Sequence, residues 1–278
     1  MNRKNINHGS ARHLKEIEEQ IKAVNYVIEV LDARAPQSSS NPALGKIIGK
    51  IQKIIVLNKS DLADPKITDK WLYYYKKEGM SALSFSIRHP ASTIFSILDR
   101  LNAHSKRTRF RCPHRILVAG IPNVGKSTII NSLLRRKAAK TGDRPGITRG
   151  RQWIRLKEGW ELLDTVGIIQ PFVNDKTFNV LASLGVLEDS QFDPLEVTDW
   201  LLQESGIEGF KEGIGRRFGD RIPDGALHTD EILGWIGSRR GCLKAGGEID
   251  LNQAAHILLK EYRDGLLGRY SMELPVNL

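Results

Sequence analysis

The sequence predicts an α/β fold in which a mostly parallel sheet is flanked by helices and followed by a smaller all-helical domain. Short apolar runs alternate with helical patterns over residues 1–174, as expected for strands joined by crossover helices. After Pro171 the strand pattern ends, and residues 175–278 contain helical segments separated by glycine and proline. We therefore predict two domains, residues 1–174 and residues 175–278.

Apolar spacing assigns the individual elements in chain order. In the first domain, strands are predicted at residues 26–31, 54–57, 81–86, 116–119, 153–156 and 161–163. Helices are predicted there at residues 11–23, 71–77, 93–101 and 128–134, with a Pro/Ser-rich loop at 36–42 and a basic connector of little secondary structure at 104–111. The second domain is predicted to contain helices at residues 193–204, 207–218, 229–237 and 251–263.

The composition is that of an ordinary globular protein, with 40% hydrophobic and 27% charged residues. Apolar runs stay shorter than the ~18 residues that suggest a membrane span. The first residues lack the apolar stretch of a secretory signal, so we expect a cytoplasmic protein, with an organelle transit peptide as the alternative. We also expect a monomer. Cys112 and Cys242 are too few for a disulfide framework and are expected to be free thiols.

The net charge of +10 is distributed unevenly along the chain. Residues 1–174 contain 31 Lys and Arg against 14 Asp and Glu, whereas residues 175–278 contain 11 against 18. The first domain, at +17, is expected to attract a polyanion, and RNA is the natural candidate. A basic surface that only keeps the protein soluble is the alternative.

Residues 120–127, which we call the phosphate loop, read Gly-Ile-Pro-Asn-Val-Gly-Lys-Ser between a predicted strand and a predicted helix. This is the context in which backbone amides and a helix N-terminus bind phosphates. Lys126 is predicted to reach the β- and γ-phosphates as a catalytic group, and the Ser127 hydroxyl is predicted to bind Mg²⁺. Further nucleotide contacts are expected from Asn123, Val124, Gly125 and Thr128.

Residues 58–61, which we call the guanine loop, read Asn-Lys-Ser-Asp after an apolar strand. The Asp61 carboxylate can accept hydrogen bonds from guanine N1–H and N2, which adenine does not offer, so the motif favours GTP; an ATPase is the distant alternative. Asn58 is expected to touch guanine or to tie the two loops together, and the Lys59 stem is expected to pack over the base. Amides facing guanine O6 are expected at the end of the next strand, at Ser84, Phe85 and Ser86.

Residues 164–167 read Asp-Thr-Val-Gly, the pattern of a γ-phosphate switch. Asp164 is predicted to hold Mg²⁺ through water, and the Gly167 amide is predicted to sense the γ-phosphate. Thr148, in an upstream switch loop, is the candidate for a second Mg²⁺-binding hydroxyl and for a catalytic role. Arg144 and Arg149 are either solvated loop charges or an internal arginine finger.

The order of these motifs indicates a circularly permuted P-loop GTPase domain, because Ras-like chains carry the guanine motif downstream of the phosphate loop. With the motifs in place, the chain resembles the circularly permuted GTPases of the YlqF/YawG group. The matching stretches are residues 32–36, 57–61, 120–128, 140–148, 163–168 and 240–247. The resemblance implies binding of GTP and GDP, a C-terminal domain that binds RNA or the ribosome, and a role in late assembly of the large ribosomal subunit through its rRNA.

The catalytic residues follow the common pattern less closely. Ras-like enzymes carry a glutamine after the switch glycine, whereas this chain has Ile168, so slow hydrolysis that the ribosomal subunit activates is expected. Asn123 lies in a pattern that coordinates K⁺ in related GTPases. The resemblance also implies a histidine from an N-terminal Pro-Gly-His-Met motif; here His8 is displaced by one position, and Val166 replaces a usual proline. A GTP-dependent RNA-binding scaffold with little hydrolysis is the alternative, and a mitochondrial relative with the same biochemistry is another.

Three segments are candidates for RNA contact. The aromatic run at residues 71–77 either stacks RNA bases or packs on the sheet, and packing is the favoured interpretation. The basic run at residues 106–111 is either an RNA contact or a solvated linker. Arg239, Arg240 and Lys244 form a basic spot in an otherwise acidic domain, and the resemblance favours an RNA contact there.

Overall fold

The structure is a computed structural model, and it describes residues 10–107, 113–138, 153–156, 159–163, 167–168, 171, 173–174, 176–207, 209–219, 222 and 228–276. The chain divides into two compact units. The nucleotide unit comprises the described residues of Lys4–Phe172 together with those of Glu273–Leu278. The helical unit comprises the described residues of Val173–Met272. The segment that follows Met272, which lies within the predicted second domain, therefore belongs to the nucleotide unit.

The nucleotide unit contains a sheet whose strands are, in chain order, β1 (Tyr26–Asp32), β2 (Gln52–Asn58), β3 (Ser81–Ser84), β4 (His114–Gly120), β5 (Trp153–Arg155), β6 (Trp160–Leu163) and β7 (Gly167–Ile168). The spatial order is β3-β2-β1-β4-β6-β5, and β7 pairs with β4. The described pairings are parallel except for β5 with β6. These pairings confirm the predicted mostly parallel sheet. The prediction was possible because strands buried on both faces are rich in apolar residues.

Helices cover both faces of this sheet. They are α1 (Ser10–Ile21), α2 (Pro36–Ser39), α3 (Pro42–Ile48), α4 (Pro65–Lys77), α5 (Pro90–Arg107) and α6 (Lys126–Ala138). Helices α1 and α3 pack on Val27 of β1, and α4 packs on Leu31 of the same strand. Because alternate strand residues share a face, these three helices lie on one side of the sheet. Ile28 and Val30, on the other side of β1, are fully buried as well.

Three helices depart from the predictions, because prolines and, at α3 and α4, side-chain caps fix where they begin. The predicted Pro/Ser-rich loop at residues 36–42 contains α2 and ends at the first residue of α3, because Pro36 and Pro42 occupy first-turn positions in which a missing N–H costs nothing. Helix α4 begins at Pro65, before the predicted residue 71, because the Asp64 carboxylate accepts hydrogen bonds from the Lys66 and Ile67 amides at 2.7 and 3.2 Å. Prolines and capping side chains set where these helices begin, and the spacing of apolar residues does not reveal such positions.

The connector prediction was wrong over residues 104–107, which form the last turn of α5. Residues 108–112 of the basic run, including Cys112, lie outside the described residues. The apolar positions of α5 that mark its core face end at Leu101, so periodicity could not detect the polar last turn.

The helical unit contains α7 (Phe178–Ser183), α8 (Pro194–Gln203), α9 (Phe210–Phe218), α10 (Thr229–Arg240) and α11 (Leu251–Arg263). The last four correspond to the predicted helices, whereas α7 was not predicted. Helix α11 contacts α7, α8 and α10, and its Glu261 carboxylate pairs with Arg217 at 2.7 Å and with Arg240 at 2.6 Å. Cys242 in this unit is a buried free thiol. None of the helices in the described part of the chain has the length and apolar character needed to span a bilayer.

Candidate functional site

The phosphate loop joins the end of β4 to the start of α6 in a conformation that depends on glycine. A Cβ on Gly120 would lie 2.6 Å from the Val30 carbonyl oxygen. Gly125 has φ +92°, and a Cβ there would lie 2.0 Å from Asn58 Nδ2. Lys126 and Ser127 are the first two residues of α6, where amides lack an intrahelical partner and carry the positive end of the helix dipole, while the Thr128 amide donates to the Gly125 carbonyl oxygen at 3.1 Å. The loop is therefore shaped to receive an anion.

Lys126, the first residue of α6, is a buried cation. Its side chain is enclosed, and Nζ donates a hydrogen bond to the Ile121 carbonyl oxygen at 2.5 Å. Burial lowers the pKa of Lys126 to about 8. No carboxylate pairs with it among the residues that the structure describes. A nucleotide phosphate would supply the missing negative charge.

The guanine loop follows β2 and is tied directly to the phosphate loop. Asn58 is buried, and its Nδ2 donates a hydrogen bond to the Val124 carbonyl oxygen at 2.6 Å. Of the two roles expected for Asn58, this contact is the tie between the loops. Lys59 follows with φ +59°, a left-handed backbone conformation that residues other than glycine seldom adopt. The turn after β2 thus depends on a left-handed residue.

The Lys59 side chain is held by a buried ion pair at the end of β1, formed by Asp32 and Arg34. The Arg34 guanidinium contacts both carboxylate oxygens of Asp32 at 2.9 Å, and Lys59 Nζ lies 3.2 Å from Asp32 Oδ2. Burial by itself would raise the pKa of Asp32, but the charges of Arg34 and Lys59 and the hydrogen bonds from Arg34 outweigh it and hold that pKa below its ordinary value. Asp32 therefore stays ionised and fixes the Lys59 side chain.

The end of β3 supports the guanine loop through its backbone. The Phe85 amide donates to the Leu57 carbonyl oxygen at 2.8 Å, and the Phe85 carbonyl oxygen accepts from the Ser60 amide and hydroxyl. The Phe85 side chain is fully buried. The Phe85 amide is thus engaged within the loop and cannot face guanine O6 as expected. The next amide along the chain, that of Ser86, has no hydrogen-bond partner among the described residues.

Asp61 is the carboxylate predicted to read guanine. Its side chain is 15% exposed, and Oδ2 lies 3.3 Å from Nε of Arg88, whose own side chain is 71% exposed. An ion pair with so exposed a cation contributes little free energy. Asp61 can therefore exchange this partner for a base at small cost.

The described switch residues lie beside the phosphate loop. Gly167 and Ile168 form β7, which pairs with Ala119 and Gly120 at the end of β4. The remaining predicted switch, catalytic and metal residues lie outside the described residues, namely His8, Arg144, Thr148, Arg149, Asp164 and Val166.

The residues present fit a nucleotide-bound Mg²⁺. The exposed Ser127 stands in the first turn of α6, beside the buried Lys126. No group of three or more His, Cys, Asp and Glu forms a metal cluster within the described residues. Mg²⁺ in nucleotide sites keeps water and phosphate ligands and needs only one or two protein ligands. Asn123, the K⁺ candidate, is exposed in the loop with φ +59°.

The aromatic run on α4 packs on the sheet, as favoured. Trp71 and Tyr75 are buried in the cluster around Leu31. Tyr73 is 60% exposed and lines a cavity of about 580 Å³ together with Lys76 of α4 and Arg100 of α5. The outer side of this helix is thus an aromatic and basic surface.

The basic spot of the helical unit is partly neutralised. Arg240 pairs with Glu261, and its guanidinium lies 4.9 Å from the Phe218 ring centre. The Arg239 guanidinium lies 4.8 Å from the Trp235 ring centre. Arg239 and Lys244 are exposed. These two residues are the part of the spot best placed to meet a phosphate.

Sequence reasoning did not assign three residues that support the site. Asp32 and Arg34 entered only as part of a matching stretch, although a charged pair at a strand end is a signal in itself. Arg88, which pairs with Asp61, lies four residues after the end of β3 at Ser84 and belongs to no recognised sequence motif. Arg88 reaches Asp61 only because the loop after β3 runs back toward the guanine loop.

Comparisons with known proteins identify the family of the chain. Residues 115–201 match the family model described as "50S ribosome-binding GTPase". A protein of Priestia megaterium named "Ribosome biogenesis GTPase A" is 36% identical, with 95% of this chain and 94% of that protein covered. A Thermotoga maritima protein of the same name is 34% identical over 95% of this chain and 91% of its own length.

Similarity extends to solved structures and to more distant relatives. The structure of GNP-bound YlqF from T. maritima matches with a TM-score of 0.71 at 30% identity, covering 95% of this chain and 98% of that one. A mouse protein named "Mitochondrial ribosome-associated GTPase 1" is 30% identical over 96% of this chain and 88% of its own. The chain therefore belongs to the ribosome biogenesis GTPase A (YlqF) family, and it is a GTP-hydrolysing enzyme with a P-loop α/β fold.

Proposed function

We propose that this GTPase assists late maturation of the large ribosomal subunit by binding its rRNA in a GTP-dependent way. The observation that carries the proposal is the similarity to proteins named ribosome biogenesis GTPase A, which extends over both units of the chain. In this proposal residues 1–174 form the GTPase domain and residues 175–278 contact RNA or the ribosome. The protein acts as a cytoplasmic monomer.

The nucleotide lies between the two loops. Asp61 reads guanine, Lys59 packs over the base, and the Ser86 amide faces O6. The phosphate loop wraps the β-phosphate, while Lys126 reaches the β- and γ-phosphates. Asn58 keeps the base-binding and phosphate-binding parts at a fixed spacing through its bond to Val124. Ser127, Thr148 and, through water, Asp164 would hold Mg²⁺, which would supply positive charge beside the phosphates.

RNA meets the outer side of α4. Lys66, Lys70, Tyr73 and Lys77 recur at helical spacing and are exposed on one side of the helix. These three lysines make no ion pair within the described residues, so their charge is available to phosphates. The exposed Tyr73 ring at the mouth of the 580 Å³ cavity offers a stacking surface for an unpaired base.

Hydrolysis is slow in the free protein and accelerates on the ribosomal subunit. Ile168 replaces the water-positioning glutamine, so a partner must order the switches. Asn123 binds a K⁺ whose charge offsets that on the phosphates. The alternative hypothesis is a scaffold whose RNA binding is controlled by GTP and which hydrolyses little of it. Ile168 favours this hypothesis as well, because it cannot position the attacking water.

The decisive experiment measures GTP turnover in KCl, alone and with purified large subunits. We expect low basal turnover that rises at least about tenfold with the subunit. Tight GTP-dependent binding of the subunit without acceleration would favour the scaffold, and no binding in either nucleotide state would overturn the proposal.

The RNA surface is tested separately with charge reversals. Lys70→Glu combined with Lys77→Glu is expected to weaken subunit binding and to reduce its salt dependence. Lys46→Glu combined with Lys50→Glu, a matched pair of exposed lysines at α3, serves as the control. Equal effects of the two pairs would contradict the assignment to α4.

A further inference from the structure

The chain returns from the helical unit to the nucleotide unit through residues 273–276, which we call the return segment. Glu273 Oε2 accepts a hydrogen bond from the Gln37 amide at 2.7 Å. The Ser38 amide donates to both carboxylate oxygens at 3.1 and 3.2 Å, and the Ser38 hydroxyl donates to Oε1. The Trp71 indole Nε1 donates to the Glu273 carbonyl oxygen at 3.0 Å. Both the side chain and the backbone of Glu273 are thus held.

The residues that Glu273 holds belong to α2, which has no other side-chain cap at this end. The N-cap position is Ala35, whose side chain makes no capping hydrogen bond. A four-residue helix cannot offset its own ordering entropy and depends on tertiary contacts. Glu273 therefore satisfies the amides that Ala35 leaves open and stabilises α2.

Helix α2 in turn holds the strand end that carries Asp32. The Ser39 hydroxyl, in the last position of α2, accepts a hydrogen bond from the Asp32 amide at 3.0 Å and donates to the Ala35 carbonyl oxygen at 2.7 Å. The Asp32 carboxylate then contacts Lys59 Nζ at 3.2 Å. A continuous series of contacts thus leads from Glu273 through α2 and Asp32 to the guanine loop.

We propose that Glu273 is a positioning residue for the guanine nucleotide, which it serves by fixing α2, Asp32 and, through Asp32, the Lys59 side chain. The proposal goes beyond the function proposed above and rests on the assignment of Lys59 to the base. It makes nucleotide affinity depend on a residue that lies 214 positions along the chain from Lys59 and directly after the helical unit.

The environment of Glu273 supports a dedicated role for its carboxylate. Burial raises the pKa of Glu273, and the nearby Asp32 charge adds to this effect, while the hydrogen bonds from Ser38 and Gln37 lower the pKa. A buried carboxylate is costly unless hydrogen bonds compensate for the lost water. Neighbouring Leu274 and Val276 are 58% and 59% exposed, so within the return segment Glu273 and the buried Pro275 are the residues shielded from water.

The test measures GDP affinity and steady-state kinetics for the full chain carrying Glu273→Ala. We expect GDP affinity to fall about fivefold and KM for GTP to rise by about the same factor, with kcat within about twofold of wild type, because the phosphate loop is untouched. Leu274→Ala, an exposed position in the return segment, is the matched control and should leave all three values unchanged.

A double-mutant cycle separates positioning from general support. If Glu273 acts through Lys59, Glu273→Ala should have almost no further effect on GDP affinity in a Lys59→Ala background. An equal loss in both backgrounds would overturn the proposal, as would wild-type GDP affinity in the folded Glu273→Ala variant. Glu273→Gln, which keeps the size of the side chain and one of its two acceptor oxygens, replaces Glu273→Ala if that variant does not fold.

The cycle also distinguishes this proposal from the site assignment on which it rests. Wild-type GDP affinity in Lys59→Ala would overturn the assignment of Lys59 to the base, and the positioning role with it. Weakened affinity in Lys59→Ala without any change in Glu273→Ala would overturn the positioning role alone.

Discussion

The bond between Asn58 and the Val124 carbonyl gives the sharpest prediction for the nucleotide site. Replacing Asn58 with alanine leaves a buried carbonyl oxygen unpaired, which costs about 1–3 kcal/mol. If that cost falls on the nucleotide-bound arrangement of the two loops, GDP affinity drops by about 5- to 150-fold. Asn58→Asp keeps the shape but sets a carboxylate oxygen against the carbonyl across the present 2.6 Å contact, so its loss should exceed that of alanine.

The assay is a fluorescence titration with GDP and ADP, combined with thermal unfolding of the free protein. Because Asp61 remains, both variants should still prefer GDP to ADP; a loss of this preference would instead indicate that Asn58 touches guanine. Asn41→Ala is the control, because it removes an amide side chain that caps α3 elsewhere in the unit. Its melting temperature should fall with GDP affinity unchanged. Wild-type GDP affinity in Asn58→Asp would refute the argument that this bond ties the loops.

Three further outcomes follow from the phosphate loop. The pKa of Lys126 is about 8 in the free protein and rises when phosphate pairs with it, so GDP affinity should be constant below pH 8 and fall up to about tenfold per pH unit above it. Lys126→Arg should abolish this pH dependence in a titration over pH 7–9.5, and a persistent slope would assign it to another group. Gly125→Ala places a Cβ 2.0 Å from Asn58 Nδ2 at φ +92°, so nucleotide binding should fall by at least about 100-fold, whereas Gly45→Ala, with open space around it, should bind normally. If Asn123 binds K⁺, replacing KCl with NaCl should depress turnover with little change in nucleotide affinity; equal rates in the two salts would contradict the assignment.

The sheet and the meeting of the two loops could be predicted because they depend on local patterns. Strands such as β4 are buried and contain an unbroken apolar run, here at residues 116–119. Polar loops that follow parallel strands come together at the carboxyl edge of the sheet, which is where Asn58 and Gly120 end β2 and β4. Two motifs separated by about sixty residues therefore identify one site.

The support of the site could not be predicted, because it depends on distant pairings. Asp32 lies beside Asn58 only through the register of β1 with β2. Glu273 reaches Gln37 across 236 residues, and no spacing rule connects them. Phe85 was assigned to the base because it follows a strand, yet its amide closes a hydrogen bond to Leu57. Such contacts are set by packing and loop closure, which the sequence does not display directly.

The circular permutation gives these contacts a common mechanical consequence. Gly167 and Ile168 pair with the strand that feeds the phosphate loop, and the helical unit begins at Val173, a few residues further along the chain. The chain leaves the helical unit at Met272 and immediately makes the Glu273 contact with α2. Both chain connections of the helical unit thus start beside elements that contact the two loops, at one end β4, which leads into the phosphate loop, and at the other end α2, which holds Asp32 beside Lys59. We therefore expect a change at either loop to reach the helical unit through a short covalent path and, by linkage, a partner that binds the helical unit to change nucleotide affinity.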